Sequence, residues 1–169
     1  MTREERRKLP AHHIVHDYVH LVSVAAEMRA GHKPTILNHH LFAAFMVHYR
    51  KFADFFANRQ KKLPPKAKRR RNDVDMLAKE FVNPKLRFPL PEWKKWEDHM
   101  NTHHFHLNRL RTRNSRPWTG HTEVPKMFQE FNAAWKRFFD NLQEPYLSQF
   151  RDEVNMWLAE GIGLPLYRR

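Results

Sequence analysis

The sequence predicts an all-α protein, an up-and-down bundle of four long helices with additional short ones. Apolar residues recur at helical spacing along most of the chain, and no stretch shows the alternation typical of a strand. Only 4 of the 169 residues are glycine, and prolines mark the joints between the periodic segments. The length fits one domain, and no apolar run approaches the roughly 20 residues of a membrane span.

The first predicted helix spans residues 11–29 and stops before Gly31 and Pro34, which occupy the positions expected for a helix end. Its apolar face consists of Ile14, Tyr18, Leu21, Val22, Ala25 and Met28. The second predicted helix spans about residues 37–61. Its apolar face consists of Leu41, Phe45, Phe52, Phe55 and Phe56.

A basic segment, residues 61–72, follows the second helix. It contains two adjacent prolines, seven lysines and arginines and almost no apolar residues, which predicts a mobile loop. A short helix is predicted near residues 74–81. Three prolines then indicate an extended connection.

Three further helices are predicted, and each carries an aromatic face. The third begins at Pro91, a favoured first helical position, and runs to about Arg111. A loop is predicted over residues 112–122, followed by a fourth helix over 124–142 and a fifth over 145–159. The faces expected to be buried are Trp93, Trp96, Met100, Leu107 and Leu110 in the third, Phe128, Phe131, Ala134, Trp135, Phe138 and Leu142 in the fourth, and Tyr146, Phe150, Val154 and Trp157 in the fifth.

The composition favours an anionic partner. The formal net charge is +13 and the sequence pI is about 10.3, which is typical of proteins that bind nucleic acid, although such a charge also serves solubility. The absence of cysteine excludes disulfides, thiolate metal sites and a cysteine nucleophile. The charged N-terminal residues have no apolar region behind them, so no signal peptide is predicted and a cytoplasmic location is expected.

The 13 histidines are the other unusual feature of the composition. His12, His16 and His20 share one helix face, as the ligands of a metal site would. This face lies opposite the apolar face, so a solvated stripe of side chains is the favoured interpretation. His48 and His103 fall on the apolar sides of their helices. Such histidines usually bond a hydroxyl or a backbone group, and a functional polar pocket is the other interpretation.

A metal site remains an alternative for four of these imidazoles, namely His48, His99, His103 and His106. The clearest acids near them, Asp54 and Asp98, fall off the relevant faces. No phosphate-binding glycine loop, serine elbow or zinc-protease motif occurs in the sequence. Neither a metal nor any other cofactor is therefore predicted.

Three segments resemble a known family. They read FMVHYRKFADFF at residues 45–56, NDVDMLAKEF at 72–81 and NTHHFHLNRLR at 101–111. Their order is similar to that in a family of small uncharacterised bacterial proteins often carried on mobile elements and integron cassettes. The resemblance covers about residues 37–140 and implies a helical fold without an established activity.

A looser resemblance is to the HEPN superfamily of helical-bundle ribonucleases, in which a late helix carries an arginine, a polar residue and a histidine. Asn101 and His106 match the polar residue and the histidine, and Met100 stands at the arginine position. The resemblance implies metal-independent RNA cleavage, with His106 as general acid or base. Arg50, beside His48, is one possible phosphate ligand, and an ordinary ion pair with Asp54 is the alternative for it.

The predicted function is therefore nucleic-acid binding, most of all RNA binding, in defence, stress or mobile-element biology. Nine basic residues are expected to contact phosphate: Lys66, Lys68, Arg69, Arg70, Arg71, Arg109, Arg111, Arg113 and Arg116. Arg109 is also a second possible replacement for the missing motif arginine. The alternatives are a non-catalytic interaction module that forms a homodimer, and a histidine-based bundle that binds a metal or a small molecule.

Overall fold

The computed structural model describes residues 3–30, 36–57, 76–103 and 120–161, with side chains at 10–30, 40–57, 76–97 and 123–161. Five helices occur in this part of the chain: α1 (Arg3–Arg29), α2 (Ile36–Ala57), α3 (Pro91–His103), α4 (Gly120–Asp140) and α5 (Tyr146–Ala159). A 3-10 turn at Ala78–Glu80 lies between α2 and α3. The described residues contain no strand, so the all-α prediction is confirmed.

Helices α2 and α5 both pack against α1, and α3 packs against α4. Helix α4 also contacts α1 and α2, so its apolar face lies at the centre of the bundle. The predicted inner face of this helix is confirmed in full, because Phe128, Phe131, Ala134, Trp135, Phe138 and Leu142 are all buried. The bundle is therefore built around the aromatic side chains of α4.

Trp135 is the largest fully buried side chain among the described residues. It is fully buried and stacks on Tyr18 of α1, with ring centroids 4.1 Å apart and planes inclined by 7°. Phe52 of α2 and Phe150 of α5 lie against the same indole. One side chain thus joins four helices through aromatic contacts.

Two predicted helix boundaries are wrong. Helix α1 begins at Arg3 rather than at residue 11, because arginine, glutamate and lysine favour helix without any apolar periodicity. Helix α4 begins at Gly120, so residues 120–122 belong to it and not to the predicted loop. Pro125, the sixth residue of this helix, lacks the backbone N–H that would bond to the carbonyl four residues earlier, so one hydrogen bond is missing from its second turn. Within the short helix expected near residues 74–81, the described residues 76–81 form only the 3-10 turn.

The N-terminus of α3 is held by a carboxylate from α4. Glu130 accepts hydrogen bonds from the backbone N–H groups of Glu92, at 2.7 Å, and Trp93, at 3.0 Å. The Tyr49 hydroxyl of α2 donates to the same carboxylate. Burial and the neighbouring Glu130 carboxylate raise the pKa of Tyr49 above its usual range, so the phenol stays protonated and remains a donor. Glu130 therefore ties α2, α3 and α4 together.

None of the helices in the described ranges combines the length and apolar character that crossing a bilayer requires.

Candidate functional site

Four imidazoles form a row that runs along α1 and continues onto α2. We name it the histidine row: His12, His16 and His20 of α1, and His48 of α2. Consecutive rings lie close, with centroids 6.3 Å, 4.3 Å and 5.5 Å apart along the row. Residues spaced four apart on α1 follow one another on nearly the same face, and the row continues from α1 onto α2.

The first half of the row faces α5. The Nδ1 atom of His12 lies 3.0 Å from Oε2 of Glu153, and the edge of the His16 ring contacts the indole of Trp157 at 5.8 Å between centroids. Both histidines are half-buried. The prediction of a solvated stripe therefore holds for the exposed His20 and only in part for the half-buried His12 and His16, because α5 packs beside α1 there.

At the centre of the row two imidazole nitrogens face each other. His16 Nε2 and His20 Nε2 are 3.1 Å apart, a hydrogen-bonding distance at which one ring donates and the other offers a lone pair. Partial burial and the charges of His16 and His48 lower the pKa of His20 below its usual value. The ring of His20 is consequently neutral at pH 7.

The far end of the row rests on Asp17. His48 Nδ1 lies 2.9 Å from Asp17 Oδ1, and Lys51 Nζ approaches the two carboxylate oxygens at 2.8 Å and 3.1 Å. The His48 ring stacks on that of His20, with planes inclined by 8°. Because the aspartate is ionised, the Nδ1–H of His48 donates to it.

The sequence patterns did not predict that Asp17 belongs to this site. His48 was expected to bond a hydroxyl or a backbone group, and its partner is instead a carboxylate 31 positions away on another helix. The only local signal is that Asp17 follows His16 and precedes His20 by three positions. That spacing places the three side chains on adjoining faces of α1, but it does not reveal the contact with α2.

Asp17 should make the stability of the protein depend on pH in the acidic range. Burial raises its pKa, but hydrogen bonds from His48 and Lys51 outweigh burial and lower it to about 2. Since the unfolded aspartate titrates near 4, this stabilisation is complete above pH 4 and is lost as pH falls toward 2. We expect Asp17→Asn to remove about 1–2 kcal/mol of it, measured as a smaller change in the urea midpoint between pH 6 and pH 3.

The matched control for this measurement is Asp152→Asn, which removes an exposed carboxylate from α5. It should leave the pH dependence of the urea midpoint unchanged. If Asp17→Asn and Asp152→Asn follow the same curve as the unmodified protein, the contacts with His48 and Lys51 do not stabilise the fold.

Of the other predicted catalytic residues, Arg50 is the one whose side chain the structure describes. Arg50 is half-buried on α2 and lies two positions from His48, so a 100° turn per residue sends the two side chains in different directions. Asn101 belongs to α3, but its side chain lies outside the described residues, as does His106. Their convergence with His48 remains a prediction.

The alternative metal set of His48, His99, His103 and His106 also remains a prediction, because three of its four side chains lie outside the described residues. Among the side chains that the structure does describe, no three histidine, aspartate or glutamate residues are placed to hold a metal ion together. The closest pair of imidazole nitrogens there is that of His16 and His20.

A second feature is a cleft at the described end of α2, which we name the α2 cleft. Its volume is about 550 Å³, and it is lined by Phe56, Ala57, Lys79, Pro84, Arg87, Phe88 and Pro89. The two phenylalanines are buried beneath it, whereas Lys79 and Arg87 are exposed. Arg87 Nη1 donates to the carbonyl of Pro84 at 3.0 Å, which holds this cation along the wall.

The positive charge of the chain is unevenly distributed. The residues with described side chains carry 12 lysines and arginines and 13 aspartates and glutamates. The whole chain has 31 basic and 18 acidic residues, so 19 basic and 5 acidic residues lie outside the ranges with described side chains. Residues 58–75, which follow the α2 cleft, hold 8 of those basic residues and 2 of the acidic ones. The nine predicted phosphate ligands all lie outside the described residues.

Comparison of this chain with protein-family models, with curated proteins and with solved structures finds no match. Its function therefore has to be inferred from its own residues.

Proposed function

We propose that this protein binds nucleic acid, with single-stranded RNA as the main ligand, through the cationic segments that join its helices. The observation that supports this most strongly is the distribution of charge. The described helical frame is close to neutral, whereas the segments outside it have a large cationic excess. A charge needed only for solubility has no reason to be concentrated in this way, but contacts with a phosphate chain require it.

The position of the α2 cleft supports the same proposal. Lys79 and Arg87 lie at its walls, and Ala57 at its edge is the last described residue before the basic segment. A strand held by Lys66, Lys68, Arg69, Arg70 and Arg71 would thus begin beside two further cations. The apolar surface between them suits the face of a base.

The proposal is tested by the salt dependence of binding. A fluorescent single-stranded RNA should bind at low salt, and log Kd should rise linearly with log salt concentration. Replacing four adjacent cations, in K68Q/R69Q/R70Q/R71Q, should lower the slope by about 0.7 for each phosphate contact removed, up to about 3 in all. Fluorescence anisotropy at several salt concentrations gives both quantities.

A matched variant removes the same charge from the helical frame. K94Q/K126Q/R137Q/R151Q replaces four exposed cations on α3, α4 and α5 and should retain the slope of the unmodified protein. Equal slopes for the two quadruple variants would mean that binding follows net charge alone. No binding at low salt would refute the proposal.

The HEPN-like part of the proposal concerns chemistry. Here RNA cleavage would use His106 with Asn101, and Arg50 or Arg109 would hold the phosphate, in a cytoplasmic protein that pairs as a homodimer. Electrophoresis of the labelled RNA after each titration reveals cleavage, and light scattering reveals pairing. Cleavage that persists in His106→Ala would contradict the assignment, while binding without any cleavage would define a non-catalytic RNA-binding module.

A further inference from the structure

We propose that His16 and His20 bind a divalent transition-metal ion of the Zn²⁺ class through their Nε2 atoms. The site is separate from the proposed RNA contacts and does not depend on them.

The spacing of the two nitrogens fits a shared metal ion. Two imidazole nitrogens at about 2.0–2.1 Å from one Zn²⁺ are about 2.9 Å apart at a right angle and about 3.4 Å apart at the tetrahedral angle. His16 Nε2 and His20 Nε2 are 3.1 Å apart, which lies within this range. An ion bound by both nitrogens would lie to the side of the line that joins them, at about 2.0–2.1 Å from each, and would replace the present hydrogen bond after a small turn of the two rings.

The surroundings hold the pair in this geometry. The His16 ring rests on Trp157 of α5, and the His20 ring is packed between His16 and His48. Their rotation is thereby restricted before any ion binds, which lowers the entropic cost of binding. Asp17, which is itself bonded by Lys51, anchors His48 from the other side, so the row of rings has a fixed end.

The chemistry of the pair selects the class of ion. Imidazole nitrogen suits Zn²⁺, Cu²⁺ and Ni²⁺, whereas Mg²⁺ and Ca²⁺ prefer oxygen ligands. His20 is exposed, so an ion can reach the pair from solvent and keep water at its remaining positions. Two protein ligands and open positions predict moderate affinity and rapid exchange rather than a permanently bound structural metal.

The test is titration calorimetry of the untagged full chain with ZnCl₂ and, separately, NiCl₂. One equivalent should bind, and His16→Gln or His20→Gln should each weaken binding at least about tenfold. Glutamine is close in size and polarity to the half-buried His16 and the exposed His20, so these variants should fold. The matched control is His13→Gln, an exposed histidine on the same helix, which should bind as the unmodified protein does.

A spectroscopic measurement identifies the ligands directly. Electron paramagnetic resonance of the Cu²⁺ complex should show coupling to two imidazole nitrogens, and one of them should disappear in His16→Gln. Because the chain has 13 histidines, binding that survives loss of both His16 and His20 would overturn the proposal, as would the absence of Zn²⁺ and Ni²⁺ binding. These outcomes are independent of whether RNA binds.

Discussion

Replacing Trp135 by alanine is expected to lower the free energy of unfolding by about 4 kcal/mol. The side chain is fully buried and contacts Tyr18, Phe52 and Phe150, which belong to three other helices. Alanine leaves a cavity among large rings that have little freedom to collapse into it. Since a domain of this kind has a total stability of about 5–15 kcal/mol, this one change removes a large part of it. Urea unfolding followed by circular dichroism measures the loss.

The matched control for Trp135→Ala is Trp157→Ala on α5. Trp157 is half-buried at the edge of the bundle, where it contacts His16, so its removal leaves an open notch and not a closed cavity. We expect a loss of about 1–2 kcal/mol. Equal losses at the two positions would show that Trp135 is not the centre of the core.

Replacing Glu130 by glutamine is expected to destabilise the protein by about 2–3 kcal/mol. The carboxylate accepts two backbone N–H groups of α3 and the Tyr49 hydroxyl, and it lies at the positive end of the α3 dipole. Glutamine has nearly the same shape, but its single oxygen cannot serve all three donors. The amide nitrogen of glutamine is itself a donor, so it would face one of these donors without forming a hydrogen bond. The same urea unfolding measurement gives the difference.

Hydrogen exchange shows where Glu130→Gln acts. Exchange at the amides of Glu92 and Trp93 should become faster before the rest of the protein is affected. Tyr49→Phe removes one donor and leaves the carboxylate in place, so a smaller loss of about 1 kcal/mol is expected. Glu160→Gln, at the exposed end of α5, should change stability by less than about 0.5 kcal/mol. A loss at Glu160 as large as that at Glu130 would contradict this explanation.

The helical class and the buried faces follow from the sequence alone. Apolar side chains three and four positions apart must share a face of any helix they form, and this spacing is enough to place Phe131, Trp135 and Phe138 inside the bundle. The start of α1 could not be predicted in the same way. Residues 3–8 are charged and carry no periodic signal, although their intrinsic preference is helical.

The histidine row was predictable only in part. Its α1 members follow from the spacing of His12, His16 and His20, but their burial depends on α5 lying beside them. The contacts of His48 with Asp17 and His20 depend on the rotation of α2 against α1. That rotation is set by side-chain packing between the helices, which no periodicity within one helix contains.

The packing of α1 against α5 has a consequence for how the chain reaches its folded state on the ribosome. His12 meets Glu153 across 141 positions, and at about 5–20 residues per second the second partner is synthesised some 7–28 s after the first. Throughout that interval α1 lacks the cover that α5 provides, so one of its sides faces solvent or a chaperone. The packing of α1 against α5 can form only after α5 has left the exit tunnel.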